Sequence, residues 1–422
     1  MKKINVLVFP AGEVNSVELH DAMCANVNIK IFGASSTDRH GSFIFENYFC
    51  GLPNISEPYF ITEFNKLIGD WEINVVFPTH DTVALFLAEK SDVINSKIIV
   101  SDENTSRILR DKGKTYKHFS EADFAPIVYS DFEQLPVFIK PKVSQGSVGA
   151  RLITDKTDAP TSIDEYVICE YLPGEEFTVD CFTDNKGELR YISPRSRDRV
   201  SNGVCVRGTS REITTEIETI AKTINSSLHF LGLWWFQIKK DNNGKFKLLE
   251  ISTRIAGTMV LTRARGVNLP LLSVYTALDR EVEIQPNSYE VMTDRILTSK
   301  FNINYDYFAV YIDYDDTIIV NNKVNLTAIR YLHQCKNKGI DIFLITKHAF
   351  DIHESLQKHY ICIGMFTDII VLKPEHKKSD FINASGSIFI DNSFAERSDV
   401  YKNIGIPVFD VDGIEFLIDW RS

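Results

Sequence analysis

Short apolar runs alternate with amphipathic segments over the first part of the chain. The runs INVLVF, NIKIFGA, INVVFP and KIIV lie within residues 1–105, and the segments between them have helical spacing near Val17–Cys24, Ile61–Leu67 and Val83–Leu87. Continuous β-branched runs separated by helices are typical of a parallel sheet covered on both faces. We therefore predict a doubly wound α/β domain over residues 1–105.

Two loops of this domain follow strand ends, which is where open α/β sheets usually bind ligands. Residues 9–12 follow the first run, and residues 78–81 follow the third. His80 and Asp81 could therefore contact a substrate. The alternative is that Asp81 only caps the helix that begins there, because Asp is favoured at that position.

The stretch from residue 136 to residue 153 predicts a strand, a flexible loop and a second strand. Lys140 ends the first strand, and the loop is rich in small residues, namely Ser144, Gly146, Ser147 and Gly149. Glycines let backbone N–H groups approach phosphate oxygens, and the lysine supplies a fixed positive charge. Because the P-loop pattern is absent, either a mobile flap over a nucleotide or an ordinary hairpin fits this stretch.

Further candidate nucleotide contacts lie on both sides of the flap. We predict one helix over SDENTSRILRDKGKTYKHF, with Lys112 near its end as a phosphate-facing lysine or as a solvated side chain. After the flap, an apolar strand runs into residues 170–172 and a Pro-Gly turn. Backbone groups at such a hinge can hold an adenine, and a carboxylate beyond it, from Glu175 or Glu176, can accept hydrogen bonds from ribose hydroxyls.

Arg195, Arg197 and Arg199 occupy alternating positions after this hinge. If the segment is a strand, all three side chains point to one face and form an anion site. If it is a loop, they are scattered surface charges. With Arg207 nearby, the first alternative predicts an anionic acceptor.

A hairpin further along the chain predicts a metal site with oxygen ligands. The pattern predicts two strands, LWWFQIKK and KLLEISTRIAGT, joined by a DNNGK turn. Gln237 lies in the first strand and Glu250 in the second, each flanked by apolar residues. Their side chains can converge with Ser252 on one hard cation. Such ligands suit Mg²⁺, with Mn²⁺ as a substitute, and a buried Glu without a charge partner would be costly.

The alternation of strands and helices restarts at about residue 306 and continues to residue 422. The predicted strands are YFAVYI, GIDIFLIT, FTDIIVLK, SIFI and IPVFDV. The predicted helices between them include Asp351–His359 and one that contains Lys378. This pattern predicts a second, smaller doubly wound parallel sheet. Asp313 and Asp315 follow its first strand, where two carboxylates on one face could attack phosphorus and protonate a leaving group beside Mg²⁺.

Composition and charge narrow the class of protein. The apolar fraction of 44% and the charged fraction of 24% are ordinary for a soluble globular protein. The net charge of −11 argues against nucleic acid or an anionic membrane as a partner. No apolar run reaches the ~18–20 residues that cross a bilayer, and the N-terminus predicts a strand rather than a signal peptide. Seven cysteines without a CxxC pair fit reduced thiols, so we expect a cytoplasmic location.

The order and spacing of these parts resemble the ATP-grasp family over residues 1 to about 300. The nearest likeness is to the large subunit of carbamoyl phosphate synthetase and related carboxylate–amine ligases, because Gln stands at the first metal position. The resemblance implies a Rossmann-like pre-ATP-grasp domain at 1–105 and an α+β ATP-grasp domain at 106–300, with a flap subdomain at about 115–172.

The resemblance implies a role for each residue that matches the family's motifs. These roles are contacts with ATP, ligation of Mg²⁺ and a position beside the acyl phosphate. The implied ATP contacts are Lys112, Lys140, Ser144, Gly146, Ser147, Glu170, Tyr171, Leu172 and Glu176. The implied Mg²⁺ ligands are Gln237, Glu250 and Ser252, where Ser252 replaces the family's more frequent Asn. Arg254 would lie beside an acyl phosphate, which forms when a carboxylate attacks the γ-phosphate and is consumed by an amine or similar nucleophile.

Residues 306–422 resemble the haloacid dehalogenase-like phosphohydrolases. The first motif DxDxT begins at Asp313, and the later motifs are met by Thr346, Lys378 and Asp391. The resemblance makes Asp313 the nucleophile and Asp315 the general acid–base, with Thr346 and Lys378 on the phosphoryl oxygens. The implied Mg²⁺ ligands are Asp313, Asp315 and Asp391.

Three further features qualify this second resemblance. Lys377 is an adjacent candidate for the lysine role. Asn392 stands where the family often has a second acid, and Glu396 one helical turn on could compensate. No insertion between the motifs is large enough for a cap domain, so we expect an uncapped site.

The leading hypothesis is an ATP-dependent carboxylate–amine or related ligase fused to a phosphatase. Its partners would be a small-molecule carboxylate, an amine or other nucleophile, and a phosphorylated substrate for the C-terminal domain; an exposed N-terminal domain is compatible with a homodimer. One alternative is a regulatory or binding protein with one inactive site, which Ser252 and Asn392 keep open. Another is an ATP-dependent phosphotransferase that forms no amide.

Overall fold

The structure is a computed structural model that describes residues 2–421. The chain divides into two compact units, Met1–Leu297 and Thr298–Ser422. Among the described residues, no helix is both long enough and apolar enough to cross a membrane.

The first unit begins with a five-stranded parallel sheet and its helices. The strands are β1 Ile4–Phe9, β2 Ile29–Ser35, β3 Asn47–Cys50, β4 Val75–Pro78 and β5 Lys97–Ile98. The helices are α1 Val14–Met23, α2 Phe60–Asp70 and α3 Asp81–Glu89, with short 3-10 turns at His40–Phe43 and Ser91–Val93. The strand order is β3-β2-β1-β4-β5 with every pair parallel, which confirms the predicted parallel sheet.

Strand β1 shows why this sheet reads as continuous apolar runs. Val6 and Val8 belong to the core cluster on one side, and Leu7 and Phe9 belong to the cluster on the other. The strand order reverses between β1 and β4, so the loops after these two strands meet at the carboxyl edge of the sheet. The hydroxyl of Thr79 donates to the Pro10 carbonyl across this gap at 2.6 Å.

The segment after this sheet forms two helices, and the prediction of one helix is wrong. They are α4 Glu103–Arg110 and α5 Lys112–His118. Asp111 between them has an extended backbone, and its carboxylate accepts from the N–H groups of Gly113 and Lys114. A capping carboxylate that starts a new helix is the physical cause of the break. Lys112 is therefore the first residue of α5.

The flap belongs to a four-stranded antiparallel sheet of order β6-β9-β7-β8. Its strands are β6 Val128–Tyr129, β7 Val137–Pro141, β8 Arg151–Ile153 and β9 Tyr166–Glu170, and a 3-10 turn covers Lys156–Asp158. Strands β7 and β8 pair as a hairpin, and residues 142–150 form the loop between them. Gly149 has φ +76° there, and a Cβ would lie 2.8 Å from Pro141 Cγ, so the turn requires glycine.

A second antiparallel sheet forms the floor of the candidate site. The remaining strands of this unit are β10 Glu176–Thr183, β11 Leu189–Ser196, β12 Arg199–Ser201, β13 Val204–Thr209, β14 Gly232–Lys240, β15 Phe246–Ser252 and β16 Met292–Asp294. The floor has the order β11-β10-β14-β15, and a smaller sheet has the order β12-β13-β16. The remaining helices are α6 Thr215–Ser227, α7 Val260–Ala264 and α8 Leu269–Ala277.

The two faces of the floor sheet differ in character. Trp234 and Phe236 of β14 pack with Ile220 of α6 in one apolar cluster. Side chains alternate along a strand, so Gln237 points to the opposite face together with its partner across the ladder, Glu250. Leu233 and Trp235 lie on the same face as Gln237 but belong to another apolar cluster, so the polar part of this face lies around Gln237 and Glu250.

The second unit contains another parallel sheet. Its strands are β17 Ala309–Ile312, β18 Ile319–Val320, β19 Lys323–Val324, β20 Asp341–Thr346, β21 Asp368–Val371, β22 Ser387–Ile390 and β23 Val408–Phe409. Its helices are α9 Leu326–Asn337, α10 Ile352–Lys358 and α11 Phe394–Ile404, with 3-10 segments at Ile363–Met365, Lys378–Phe381 and Val411–Leu417. The order β21-β20-β17-β22-β23 is parallel throughout, while β18 and β19 form a small hairpin.

Two features of this unit bear on its site. Ile312 pairs with Ile390, so the residues that follow them, Asp313 and Asp391, leave the sheet side by side. Lys378 begins a four-residue 3-10 segment rather than the α-helix predicted there.

The core of the floor sheet gives a stability prediction. Trp234 is fully buried, its ring stacks on Phe230 at 4.0 Å, and its indole N–H donates to Thr183 Oγ1 at 2.8 Å. Trp234→Ala should lower the free energy of unfolding by about 3–5 kcal/mol, because it leaves a cavity. Val27→Ala, at a position that is 79% exposed, should change it by about 0.5 kcal/mol or less. Urea unfolding followed by circular dichroism measures both, and equal midpoints for the two variants would contradict the packing.

Candidate functional site

A pocket of the first unit lies between the flap, the hinge after β9 and the polar face of the floor sheet. All nine residues that the sequence predicts as nucleotide contacts line it: Lys112, Lys140, Ser144, Gly146, Ser147, Glu170, Tyr171, Leu172 and Glu176. Gln237 and Glu250 line the same pocket. Ser252, Arg254 and Asp81 line an adjoining pocket that shares Lys112 and Glu250 with the first. The structure thus brings the predicted residues into two connected pockets.

Lys140 is a buried cation in the wall of this pocket. Its side chain is held from behind, because Nζ donates to the Leu249 carbonyl at 3.3 Å and lies 4.9 Å from the centre of the Tyr116 ring. A carbonyl and an aromatic face both favour a positive charge. The position of the charge is therefore fixed by the fold.

Lys112 lies beside this first cation and contacts the flap. Its Nζ donates to Ser144 Oγ at 3.2 Å. Burial lowers the pKa of Lys112, and the positive charges of Lys140 and Arg110 act in the same direction, although Glu250 opposes them. Because these cations repel one another, an anion bound among them would be stabilised.

The acidic side chains at and after the hinge have partners within the chain. The Glu170 carboxylate is occupied by the backbone N–H of Ile127, at 2.8 Å. The Glu176 carboxylate lies 2.6 Å from Arg197 Nε. The side chain of Glu170 thus fastens the hinge to the segment before β6, and Tyr171 and Leu172 line the pocket beside it.

The predicted metal ligands lie on one face of the floor sheet. With its amide oriented to suit both neighbours, Gln237 donates to Glu250 Oε1 at 3.2 Å and accepts from Arg197 Nη1 at 2.9 Å. Ser252 lies further along β15, opposite Trp235, and its hydroxyl donates to Asp81 Oδ1 at 2.7 Å. Over residues 2–421, no three His, Cys, Asp or Glu side chains form a metal cage. Two oxygen ligands beside a cluster of cations fit Mg²⁺, which typically takes one or two protein carboxylates and completes its shell with phosphate and water.

Asp81 connects the flap to the floor sheet. It accepts from Gln145 Nε2 of the flap at 2.5 Å, and its Oδ1 lies 3.0 Å from Arg254 Nε. Burial alone would raise the pKa of Asp81, but Arg254 and the hydrogen bonds from Gln145 and Ser252 hold it well below its usual range. The interpretation of Asp81 as only a helix cap is wrong, because His80 caps α3 with Nδ1 at 3.2 Å from the Thr82 N–H. Nothing in the sequence pattern singled out Gln145.

The arginines do not form one anion site, because β11 ends at Ser196 and the alternation is lost. Arg195 is buried against Asp180, with Nη2 donating to Oδ1 at 2.8 Å. Arg199 and Arg207 both pair with a carboxylate of the small sheet, that of Asp294. Each of these guanidinium groups therefore has a carboxylate partner in the chain, and Arg199 and Arg207 share theirs.

In the second unit, two buried carboxylates share one buried cation at the carboxyl edge of the sheet. Lys378 Nζ donates to Asp313 Oδ1 and to Asp391 Oδ2, both at 2.6 Å. Burial and the neighbouring charge of Asp391 raise the pKa of Asp313 to about 6, although Lys378 opposes them. Two acids facing one lysine leave excess negative charge, which fits a divalent cation with oxygen ligands.

The two acids of the first motif differ in burial. Strand β17 ends at Ile312, and the alternation of side chains ends with it. Asp313 is buried, whereas the side chain of Asp315 is 53% exposed and faces His348. Thr346 is fully buried, and its hydroxyl accepts from the His348 N–H at 3.1 Å. No motif in the sequence singled out His348.

The remaining candidates of this unit have other partners. Lys377 Nζ lies 3.3 Å from Asp399 Oδ1, away from the Lys378 contacts. Glu396 is paired with Lys347 at 2.6 Å. Lys378 rather than Lys377 therefore contacts the two buried carboxylates, and Glu396 is a partner for Lys347.

Known proteins resemble the first unit. Residues 162–298 match a family model described as an ATP-grasp in the biosynthetic pathway with Ter operon. The biotin carboxylase domain of Hydrogenobacter thermophilus 2-oxoglutarate carboxylase, solved with MgADP, ADP and bicarbonate, is 13% identical, with a TM-score of 0.57 over 69% of this chain and 74% of that one. The L-amino acid ligase from Bacillus licheniformis is 16% identical, with a TM-score of 0.54 over 68% and 78%.

A third solved structure points the same way. The N5-carboxyaminoimidazole synthetase from Staphylococcus aureus, complexed with ADP, is 13% identical, with a TM-score of 0.55 over 68% of this chain and 80% of that one. A comparison with curated protein sequences gave no match. At such identities the likeness shows the fold alone. The chain contains the ATP-grasp fold, and residues 162–298 are the part that the family model matches.

The Asp81 contacts predict how the flap is held. Asp81→Asn should speed tryptic cleavage after Lys142 and Arg151, which flank the flap loop. The expected factor is about tenfold, because a hydrogen bond to a charged group contributes about 1.5–3 kcal/mol. Limited proteolysis with mass spectrometry measures the rate at each bond.

Two controls separate the flap contact from a general loss of stability. Gln145→Ala removes the flap side of the same contact and should speed the same two cuts. Asp102→Asn removes the capping carboxylate of α4 and should leave them unchanged. If Asp81→Asn and the unmodified protein are cut at equal rates, the contact does not restrain the flap.

Proposed function

We propose that the first unit is an ATP-dependent ligase. It activates a small carboxylate as an acyl phosphate and passes the acyl group to an amine or a related nucleophile. The observation that supports this most is the single pocket lined by every predicted nucleotide contact. The presence of ADP in the Hydrogenobacter and Staphylococcus structures adds support, since their fold is the same.

The residues of the pocket suit transfer of a phosphoryl group. Lys140 and Lys112 place positive charge along the phosphates, and Glu250 and Gln237 would hold Mg²⁺, which supplies further charge neutralisation when bound. Arg254 lines the adjoining pocket, so its guanidinium can neutralise the acyl phosphate as the carboxylate oxygen bonds to phosphorus and ADP leaves. The flap, fastened through Gln145, excludes water that would hydrolyse the anhydride.

The test follows nucleotides by chromatography in the Asp313→Asn protein, so that the second unit does not consume the products. Mg-ATP with a panel of amino acids, uronic acids and hydroxy acids should give ADP and phosphate only with the correct acid. Lys140→Met should lower this rate by about 100-fold or more, as loss of a transition-state donor does. Lys142→Met is the matched control, because its Nζ donates to the Asp164 backbone carbonyl outside this pocket.

The identity of the products distinguishes the proposed ligase from a phosphotransferase and from an AMP-forming enzyme. An amide or related product, identified by mass spectrometry, supports ligation. A phosphorylated product that accumulates instead supports a phosphotransferase. Formation of AMP contradicts the acyl-phosphate mechanism, and so does an equal effect of Lys140→Met and Lys142→Met.

We propose that the second unit is a Mg²⁺-dependent phosphohydrolase of the haloacid dehalogenase-like type. The supporting observation is the cluster of Asp313, Lys378 and Asp391 at the point where the strand order reverses between β17 and β22. Ligands of open α/β sheets bind at such reversals. Buried charges that are paired with one another, rather than solvated, are frequent at catalytic sites.

The chemistry follows from where these groups lie. An oxygen of Asp313 would bond to phosphorus as the ester oxygen leaves with a proton from Asp315, and water would then hydrolyse the aspartyl phosphate with Asp315 as base. Lys378 would hold the phosphoryl oxygens. Asp313 and Asp391 would hold Mg²⁺. The ion would reduce the repulsion between the negative carboxylate nucleophile and the negative phosphate.

Hydrolysis of p-nitrophenyl phosphate tests this proposal. Asp313→Asn should lower the rate by about 1,000-fold or more, because it removes the nucleophile. Asp316→Asn is the matched control: Asp316 is exposed with φ +53°, a conformation that Asn adopts readily. Removal of Mg²⁺ by EDTA should abolish the activity, and added Mg²⁺ should restore it. Activity that survives Asp313→Asn would show that another group is the nucleophile.

A further inference from the structure

His348 is joined to both the site of the second unit and helix α10. Its Nδ1 lies 2.9 Å from each carboxylate oxygen of Asp315, and its Nε2 lies 2.8 Å from Ser355 Oγ. The imidazole side chain is 10% exposed, whereas that of Asp315 is 53% exposed. A buried ring thus holds a carboxylate that would otherwise be free in solvent.

These contacts suit one tautomer of a neutral imidazole. When the Asp315 carboxylate is ionised it can only accept, and the contacts are then satisfied with the hydrogen on Nδ1 and with Nε2 accepting from the Ser355 hydroxyl. The ring also packs edge-on against Tyr314 at 5.0 Å, and the Tyr314 hydroxyl is hydrogen-bonded to His359 Nδ1 at 3.0 Å. The orientation of the imidazole is therefore fixed on three sides.

An Asp-His-Ser chain has the composition of a nucleophilic triad, but its setting is different. Ser355 lies inside α10, and its own N–H donates to the Asp351 carbonyl within the helix at 3.0 Å. A nucleophilic serine needs free N–H donors beside it to stabilise an oxyanion. The chain Asp315–His348–Ser355 is therefore better suited to orientation than to attack.

We propose that His348 is a positioning residue for phosphotransfer, anchored on Ser355, that holds the Asp315 carboxyl group towards the leaving oxygen. The proposal rests on the phosphohydrolase function proposed above. Strand β17 ends before Asp315, so the backbone alone does not direct this side chain towards the site. In the reaction His348 exchanges no proton; Asp315 gives its proton to the ester oxygen while the bond from Asp313 to phosphorus forms.

The proposal predicts a dependence on the leaving group. An alkoxide needs a proton as it leaves, whereas p-nitrophenolate leaves without one. The parameter to compare is kcat/KM, which covers the steps up to departure of the leaving group and excludes the later hydrolysis of the aspartyl phosphate, in which Asp315 also acts. His348→Ala should lower kcat/KM for glycerol phosphate by about tenfold or more, a part of the ~100- to 10,000-fold that general acid catalysis contributes. It should change kcat/KM for p-nitrophenyl phosphate by about twofold or less.

Conservative variants separate orientation from packing. His348→Asn keeps an N–H near the position of Nδ1 and should recover most of the alkyl phosphatase activity. His348→Gln places its amide near the position of Nε2 and should not. His353→Ala is the control, because His353 is an exposed histidine of α10, the helix that contains Ser355. Circular dichroism checks that every variant is folded.

Each outcome decides the question. An equal loss of kcat/KM with both substrates in His348→Ala, or no recovery in His348→Asn, overturns the positioning role and leaves the phosphohydrolase intact. Labelling of Ser355 by a fluorophosphonate overturns it in favour of a nucleophilic serine. If neither substrate is hydrolysed in an Asp313-dependent way, the proposed function fails, and this inference fails with it.

Discussion

Both units depend on one constraint: an ionised side chain that leaves water must meet an opposite charge or a set of hydrogen-bond partners. Lys140 meets a carbonyl and an aromatic face, Asp81 meets Arg254, and Lys378 meets two carboxylates. Each arrangement draws its members from different segments of the chain. The charges can therefore be buried only after the sheets have assembled, and their positions are as rigid as the sheets.

The two units satisfy this constraint with different kinds of sheet. In the second unit a parallel sheet reverses its strand order, and the ends of two adjacent strands deliver Asp313 and Asp391 to one point. In the first unit an antiparallel floor supplies Gln237 and Glu250 as cross-strand partners. A parallel sheet collects side chains at its edge, whereas an antiparallel sheet spreads them over a face.

Features that arise from periodicity could be predicted from the sequence. The parallel sheets, the flap hairpin and the pairing of Gln237 with Glu250 all come from side-chain alternation and turn residues. Errors arose where an element ended earlier than its pattern suggested. The prediction that the arginines form one anion site was wrong because β11 ends at Ser196. The prediction of one helix through Lys112 was wrong because Asp111 starts a new helix. Gln145 and His348 were missed because their partners are 64 and 33 residues away in sequence, and no local pattern records such a contact.

Ser252 illustrates how a departure from a motif can be balanced elsewhere. A serine offers one oxygen, and here its hydroxyl is donated to Asp81 rather than directed only at the metal position. The carboxylate of Asp81 consequently lies against the same edge of the floor sheet, and Arg254 keeps it ionised. In the proposed ligase, an anionic carboxylate would thus stand beside the place where the family's Asn would contribute a neutral oxygen. Both oxygens of Asp81 already have partners, namely Ser252 and Arg254 at Oδ1 and Gln145 at Oδ2, so the replacement ties the floor sheet to α3 and the flap rather than adding a free ligand.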